Sequence, residues 1–435
     1  MTTIDGRHHD APLDSRLLAE ISDQGLRVAR VDEGSRAQTD AWLEVVSRGF
    51  LDGERTDVQR DAFFAASAYR RKLGVYDDAA PIPEQPVATF ASWTTELSTP
   101  GDRLTACAIS SVTVAPTHRR RGLLRSLMSG ELRTAAELGL PVATLTVSES
   151  SIYGRFGFAP AVPAAHWRID PRRAGWRGPL PGGRIDFLTR EQGRAQVEVL
   201  HDRIRPARSG EVQMPGGHWD RFFGTRPDVE KAGETRVLQY RSAEGSIDGL
   251  ALYRVSENHD DFAASTLDVV QLLAATDDAY AALWRFLLSM DLIGVVRASE
   301  LAVDEPLWWM ITDQRAVTIT LRDHHYLRIL DVPTALAGRR YDAADTLLLD
   351  VHDPLGITGG AVLLEIGNDG TAAASPAPAG AQPDASLGIE ELSALFLGGV
   401  SALALARAGR LRAADPHRID RVFRTSSAPR LSFWY

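Results

Sequence analysis

The sequence predicts three domains, the first two of α/β class and the third of α+β class. The chain has 435 residues, well beyond the ~150 residues of an ordinary domain. Strand-like and helix-like stretches alternate on both sides of a loop at residues 171–183 that is rich in Pro, Gly and Arg. From about residue 327 the pattern changes to a small sheet with helices. We therefore expect domains over residues 1–172, 173–325 and 326–435.

The charge and the cysteine count exclude some classes of partner. The net charge is −9, with 57 acidic against 48 basic residues, which disfavours a nucleic-acid partner and fits a cationic substrate. The single cysteine, Cys107, cannot form an internal disulfide and is expected to be a small core residue on a strand. There is no leader-like N-terminus and no apolar window of about 18 residues. We expect a soluble cytoplasmic protein without a membrane partner.

The first domain is predicted from its hydrophobic periodicity. Residues 1–20 are polar and predict a loose tail, with His8 and His9 outside any metal site. A turn with three prolines at residues 81–86 predicts a hairpin. Gly139 and Pro141 are expected to end the last long helix. The predicted elements are strands at residues 25–31, 73–77, 87–97, 104–114 and 142–147, helices at residues 39–50, 57–72 and 122–138, and a helical turn at residues 152–156.

The central strand, the turn that follows it and the next helix form a candidate anion-binding site. Pro116 ends the strand, and Gly122 precedes an amphipathic run that predicts a helix. The first amides of a helix have no partner within it, and the helix dipole favours negative charge there, so amides between Arg119 and Leu124 can wrap a pyrophosphate. The free edge of the strand can pair with an amide-bearing arm. Coenzyme A contains both a pyrophosphate and an amide-bearing arm.

The arginine side chains of this turn support the anion-binding interpretation. Arg119, Arg120 and Arg121 can bond phosphate oxygens, and Gly122 lets the ligand approach without a Cβ in the way. Three arginines before a helix are also typical of a solvated face or a weak nucleic-acid patch. The order of strand, proline, arginines, glycine and helix favours the cofactor site.

The strand, the arginine-rich turn and the start of the next helix resemble motif A of the GNAT superfamily of N-acetyltransferases, whose core is R/Q-x-x-G-x-G/A. Residues 119–124, RRRGLL, depart from it at Leu124. Together with SESSIYGRFGF at residues 148–158, the string at residues 112–125 is similar, more narrowly, to the Eis family. That resemblance implies direct acetylation, from acetyl-CoA and without a metal, of amines on aminoglycosides and polyamines. It implies an arm site between strands that separate after Val114 and Val147. The predicted cofactor residues are Ser111, Val112, Thr113, Val114, Arg119, Arg120, Arg121, Gly122, Leu123, Leu124 and Ser148.

Two tyrosines are the candidate catalytic residues. In the fold that this chain resembles, Tyr153 faces the sulfur and can protonate the departing thiolate, although it is also placed to be a core aromatic beside Phe156 and Phe158. Ser148 caps the same helical turn or contacts the pantetheine. The main chain of Val114 is expected to hold the acetyl carbonyl.

The apolar C-terminus carries the second candidate. An ending with Leu431, Phe433, Trp434 and Tyr435 is expected to be tucked into the protein, and its α-carboxylate then needs a partner. The Eis resemblance gives the α-carboxylate of Tyr435 the role of the base. Because a carboxylate is a weak base, we expect it to act mainly by binding the ammonium form and orienting the amine. A packed tail with its carboxylate in water is the alternative. The predicted substrate residues are Phe50, Asp52 and Trp434. Asp52 is alternatively a surface carboxylate at a helix end.

The remaining domains are expected to serve as scaffold. The order of elements in residues 173–325 echoes the first domain, but the helix start at residues 275–278, ATDD, has aspartates that repel phosphate. We expect a degenerate acetyltransferase-like copy without cofactor. The resemblance implies a sterol-carrier-like third domain and a homo-oligomer, a hexamer. The competing hypothesis for the whole chain is a non-catalytic module that senses coenzyme A or binds lipid.

Overall fold

The computed structural model describes residues 6–435, which form two compact units. The first unit contains the chain up to Ala161, residues 325–426 and Tyr435. The second contains residues 162–324 and 427–434. The predicted α/β and α+β classes are confirmed. No helix within residues 6–435 has both the length and the apolar character that crossing a membrane requires.

The N-terminal part of the first unit is a mixed sheet covered by helices. Its strands run in the order β1-β2-β3-β4-β5, and only β4 and β5 are parallel. The predicted strands are confirmed within a few residues. The helices are α1 (Arg7–Asp10), α2 (Ser15–Ser22), α3 (Arg36–Gly49), α4 (Asp57–Ala66) and α5 (Leu123–Glu137), and the strands are β1 (Arg27–Arg30), β2 (Arg71–Tyr76), β3 (Ala88–Thr99), β4 (Asp102–Val114) and β5 (Val142–Thr146). The next strand, β6 (Ala159–Ile169), begins in this unit, and most of its residues belong to the second.

The prediction of a loose N-terminal tail is wrong for its described residues. Asp14 caps α2, and the i, i+4 pair Leu17 and Ile21 is fully buried. Leu17 packs so closely that a Cβ on Gly130 of α5 would lie 2.9 Å from it. The helix predicted at residues 57–72 is also too long. Helix α4 ends at Ala66, and Arg71 and Lys72 belong to β2.

Strand β4 contains a bulge that the sequence did not reveal. Thr113 pairs with Thr89 and Ser110 pairs with Ala91, so two residues of β4 lie opposite Phe90. Ser111, in the bulge, has a left-handed φ of +54°. The parallel pairing of β4 with β5 ends at Ile109 and Leu145, so these strands separate before the expected points at Val114 and Val147.

The second unit repeats this plan, as predicted. The strands run in the order β6-β11-β10-β9-β8-β7, and β10 and β11 are a parallel pair connected by α9, as β4 and β5 are connected by α5. Asp277 and Asp278 open α9 as expected, although its cap is Thr276. The helices are α6 (Pro171–Ala174), α7 (Arg190–Ile204), α8 (Gly216–Phe223), α9 (Asp277–Leu288) and α10 (Leu307–Met310), and the strands are β7 (Arg184–Leu188), β8 (Arg236–Arg241), β9 (Ile247–Ser256), β10 (Ser265–Ala274), β11 (Ile293–Leu301) and β12 (Val317–Ile329).

Residues 330–426, after β12, form a five-stranded sheet with helices and belong to the first unit. The sheet order is β15-β14-β13-β16-β17, and only β13 and β16 are parallel. The last residues of β12 pair with β5. The remaining elements are α11 (Val332–Ala337), α12 (Ile389–Leu395), α13 (Ala402–Arg407) and α14 (Pro416–Phe423), with strands β13 (Asp345–His352), β14 (Gly360–Ile366), β15 (Ala372–Pro376), β16 (Ala385–Gly388) and β17 (Leu411–Ala413).

Candidate active site

A cavity of about 1060 Å³ lies in the first unit where β4 ends, α5 begins and the loop after β5 turns. It gathers nine of the predicted cofactor residues together with Phe50 and Tyr153. Ser111 and Arg121 are not among its lining residues. The nine cofactor residues are Val112, Thr113, Val114, Arg119, Arg120, Gly122, Leu123, Leu124 and Ser148.

The turn before α5 has the backbone of an anion site. Arg120 and Gly122 both adopt left-handed conformations, with φ of +64° and +80°. Alternation of left-handed and other backbone conformations directs successive N–H groups into one concavity, which suits a phosphate. A Cβ on Gly122 would meet nothing within 4 Å, so its backbone conformation, more than a close approach, requires glycine here. This corrects the reason that the sequence suggested.

The three arginines of this turn do not act alike. Arg119 and Arg120 line the cavity. Arg121 instead donates to the carbonyl oxygen of Gln24, 3.1 Å away. His118 anchors the turn through its Nε2, which lies 3.1 Å from Oδ2 of Asp77. Two of the three predicted phosphate ligands therefore face the cavity.

The bulge in β4 is held by hydroxyl groups. The Oγ1 of Thr89 donates to the carbonyl oxygen of Ser111 at 2.9 Å and lies 2.8 Å from Oγ1 of Thr113. The bulge re-aims the strand, so Val112 to Val114 lie in the cavity wall beyond the end of the β5 pairing. Ser111 thus contributes through its backbone conformation, outside the cavity lining.

Tyr153 both packs and lines the cavity. Its side chain is buried, and its ring meets the ring of Phe158 edge-on at 6.2 Å. Burial, together with the charge of Glu149, raises the pKa of the Tyr153 phenol to about 12. The phenol is therefore protonated at neutral pH, as a proton donor must be. Tyr153 itself precedes the 3₁₀ turn Gly154–Phe156, and its side chain makes no cap there; Ser148 lies in the cavity wall.

The predicted substrate residues are dispersed. Phe50, at the end of α3, lines the cavity. Asp52 is outside the lining, and its carboxylate pairs with Arg55 with half of its side chain exposed, which matches the surface alternative. Trp434 belongs to the second unit, where its 48% exposed side chain lies 5.4 Å from the ring of His324.

The C-terminus is ordered, as its composition predicts. Leu431, Phe433 and Tyr435 are buried. The Oγ1 of Thr146, at the end of β5, donates to the main-chain oxygen of Tyr435 at 2.6 Å, so the terminal group has a polar partner. Burial raises the pKa of the Tyr435 phenol. Tyr435 is not among the residues that line the cavity.

Several residues of the cavity wall were not predicted from the sequence. Glu149 and Arg155 lie within the string at residues 148–158, on either side of Tyr153, and their proximity to it could have suggested them. Pro354 and Leu355 come from the C-terminal domain, about 200 residues along the chain, and carry no signal in the sequence. Among residues 6–435, no group of three or more His, Cys, Asp or Glu side chains could hold a metal ion.

Comparison with known proteins decides the family. Two profiles described as acetyltransferase (GNAT) domain match residues 30–161 and 210–329, and one described as sterol carrier protein domain matches residues 332–432. The N-acetyltransferase Eis of Mycobacterium tuberculosis is 34% identical over 342 residues, covering 75% of this chain and 79% of the relative. The chain belongs to the Eis family of GNAT N-acetyltransferases.

Other relatives extend the likeness over the whole Eis-type architecture. An uncharacterized N-acetyltransferase of Streptomyces avermitilis is 38% identical over 411 residues, covering 91% of this chain and 96% of the relative. The crystal structure of Eis1 from Mycobacterium abscessus superposes with a TM-score of 0.79 at 28% identity, covering 94% of this chain and 100% of that one. The predicted architecture, two GNAT domains followed by a sterol-carrier-like domain, is confirmed.

Proposed function

We propose that this Eis-type enzyme transfers the acetyl group of acetyl-CoA directly to a primary amine of an aminoglycoside-like molecule, a polyamine or a lysine side chain, in a ternary complex. One observation carries the proposal: a single cavity contains the anion-binding turn at Arg119 to Leu124 and the buried, protonated phenol of Tyr153. A cofactor with a pyrophosphate and a reactive thioester fits these two features.

The chemistry assigns one task to each end of the cavity. The amine nitrogen forms a bond to the thioester carbon, and the main chain near Val114 holds the oxygen on which charge develops. The carbon–sulfur bond then breaks, and the thiolate takes the proton of Tyr153. The acceptor ammonium loses one proton to solvent before the attack and its nitrogen loses a second one after it, and a proton from solvent restores the Tyr153 phenol. No covalent enzyme intermediate is required, and Cys107 is fully buried on β4.

The acceptor is proposed to be cationic. The chain has a net charge of −9, which attracts cations. Thr146, at the end of β5, holds the terminal carboxylate. Strand β5 pairs with β4, and the end of β4 borders the cavity. We assign to this carboxylate the binding and orientation of the ammonium group. The homohexamer that the resemblance implies, and a degenerate second domain without cofactor, remain predictions.

Thiol release from acetyl-CoA in the presence of an amine panel tests the proposal. We expect turnover with aminoglycosides or polyamines and none with their neutral polyhydroxyl analogues. The non-catalytic alternative predicts calorimetric binding of coenzyme A without thiol release for any amine. That result would reject the proposed function.

A further inference from the structure

A turn of the sterol-carrier-like domain, residues 353–358, forms part of the cavity wall. Pro354 and Leu355 line the cavity of about 1060 Å³. Leu355 and Ile357 also pack against the hydrophobic core of the N-terminal acetyltransferase domain. Gly356, between them, has a left-handed φ of +65°, so the turn is sharp. The C-terminal domain therefore contributes directly to the surface that faces the cavity.

A buried ion pair holds this turn. The carboxylate of Asp353 accepts hydrogen bonds from the amides of Leu355, Ile357 and Thr358, at 3.1, 2.9 and 3.1 Å. It also accepts one from Nη2 of Arg328 at 2.7 Å, and the two side chains are 1% exposed or less. Burial opposes ionisation, but Arg328 and the amides lower the pKa of Asp353. Such a pair is costly to break from one side.

Arg328 connects the turn to the catalytic sheet. It lies on β12 opposite Ala143 of β5. A Cβ on Gly157 would come within 2.8 Å of its Nε, so the guanidinium packs on the loop that follows Tyr153. The position of Leu355 is therefore fixed relative to β5 and to the loop that follows Tyr153.

A second cavity of about 540 Å³ continues past the anion-binding turn. It shares Gly122, Arg125, Pro354 and Leu355 with the first cavity. If the arm follows β4 and the pyrophosphate binds at the turn, this shared wall is the surface left for the nucleoside. Pro354 and Leu355 give this shared lining an apolar surface and Arg125 gives it a guanidinium, a combination that suits the face of a purine.

We propose that the turn at residues 353–358 binds the nucleoside end of acetyl-CoA, and that Arg328 and Asp353 are positioning residues for it. The inference rests on the proposed binding of acetyl-CoA in this cavity. It gives the sterol-carrier-like domain a role in recognising the cofactor, and this role does not require lipid binding. Leu355 is the contact residue and Asp353 acts through it.

A comparison of two acyl donors tests the proposal. In Leu355→Ala, the KM for acetyl-CoA should rise about fivefold with kcat within twofold, whereas the KM for S-acetylpantetheine, which lacks the nucleotide, should not change. Asp353→Asn should show the same split. Leu364→Ala, which truncates a buried side chain of β14 that is not part of the lining, controls for lost stability. It should leave both KM values unchanged.

A binding measurement separates this proposal from the proposed function. Calorimetric Kd values for coenzyme A and for 3′,5′-ADP should both rise about fivefold in Leu355→Ala. If the unaltered protein binds coenzyme A but Leu355→Ala and Asp353→Asn bind it equally well, the role of the turn is rejected while the function stands. Equal losses with both acyl donors would also reject it. If the unaltered protein binds no coenzyme A, both proposals fail together.

Discussion

The phenol oxygen of Tyr435 lies 2.8 Å from Nε2 of His325. The same phenol donates to Oγ1 of Thr144 at 2.8 Å, and its ring meets Trp93 edge-on at 5.4 Å. These contacts are buried, where a hydrogen bond to a phenol is costly to lose. They immobilise the last residue, so its carboxylate is held at Thr146 instead of fraying in solvent.

Extending the chain beyond Tyr435 should therefore abolish most of the activity. A Gly-Ser tail moves the terminal charge by up to about 7 Å, since each residue spans about 3.3 Å. We expect kcat to fall at least about tenfold, with coenzyme A binding unchanged because the anion-binding turn is elsewhere in the unit. A protein that carries the same tail at its N-terminus is the control. Equal kcat for the two proteins would show that the C-terminus only packs and that its carboxylate has no role in catalysis.

The anion-binding turn is tested by its backbone and its charge. A side chain on Gly122 must adopt a left-handed φ, which costs about 1 kcal/mol or more. Gly122→Val and Arg120→Glu should each raise the KM for acetyl-CoA at least about tenfold, or 1.4 kcal/mol. Arg121→Glu is the matched control, because Arg121 points to Gln24 and its replacement should change the KM less than threefold. Unchanged calorimetric affinity in Arg120→Glu would contradict the phosphate site.

Local signals explain why most of the first domain was predictable. Strand β4, the glycine before α5 and the apolar face of α5 are adjacent in sequence, and each follows a periodicity or turn rule. Strand β6, in contrast, was missed. Its sequence, APAVPAAHWRI, contains two prolines and several alanines, which weaken the strand pattern. Tertiary pairing with β11 decides its conformation.

The site was predictable to the extent that it is local. The two sequence strings that carry the resemblance, residues 112–125 and 148–158, both contain residues that line the cavity. The bulge at Ser111 was hidden, because a non-glycine residue with a left-handed φ leaves no compositional mark. Leu355 was hidden for another reason, since contacts between segments about 200 residues apart depend on packing that no local pattern encodes.

Tyr153 should act in the transition state more than in binding. Tyr153→Phe keeps the ring against Phe158 and removes only the proton donor. We expect kcat to fall about 10²-fold with little change in the Kd of coenzyme A. Since the pKa of the phenol is raised to about 12, the active protonated form persists as pH rises to about 11, and no alkaline loss from this group should appear below that. Wild-type turnover in a folded Tyr153→Phe protein would leave the ring a packing role only.

A buried histidine of the second unit should make stability depend on pH. His201 is 3% exposed, and its ring meets Trp219 edge-on at 5.2 Å. Burial, with the charges of Arg205 and Arg430, lowers its pKa to about 3. The unfolded value is about 6.5, so below that pH the unfolded chain binds a proton that the folded chain does not. The contribution of the neutral His201 side chain to the free energy of unfolding is complete above pH 6.5 and is lost as pH falls toward 3.

The expected slope gives the test. One such histidine lowers the free energy of unfolding by about 1.4 kcal/mol per pH unit between pH 6 and pH 4.5. His201→Phe retains an aromatic ring beside Trp219 and removes the titrating group, so urea titrations followed by tryptophan fluorescence should show a slope shallower by about that amount. His417→Phe, at an exposed position on α14, should leave the slope unchanged. A slope in His201→Phe equal to that of the unaltered protein would mean that His201 is protonated alike in both states, against the burial seen around α7.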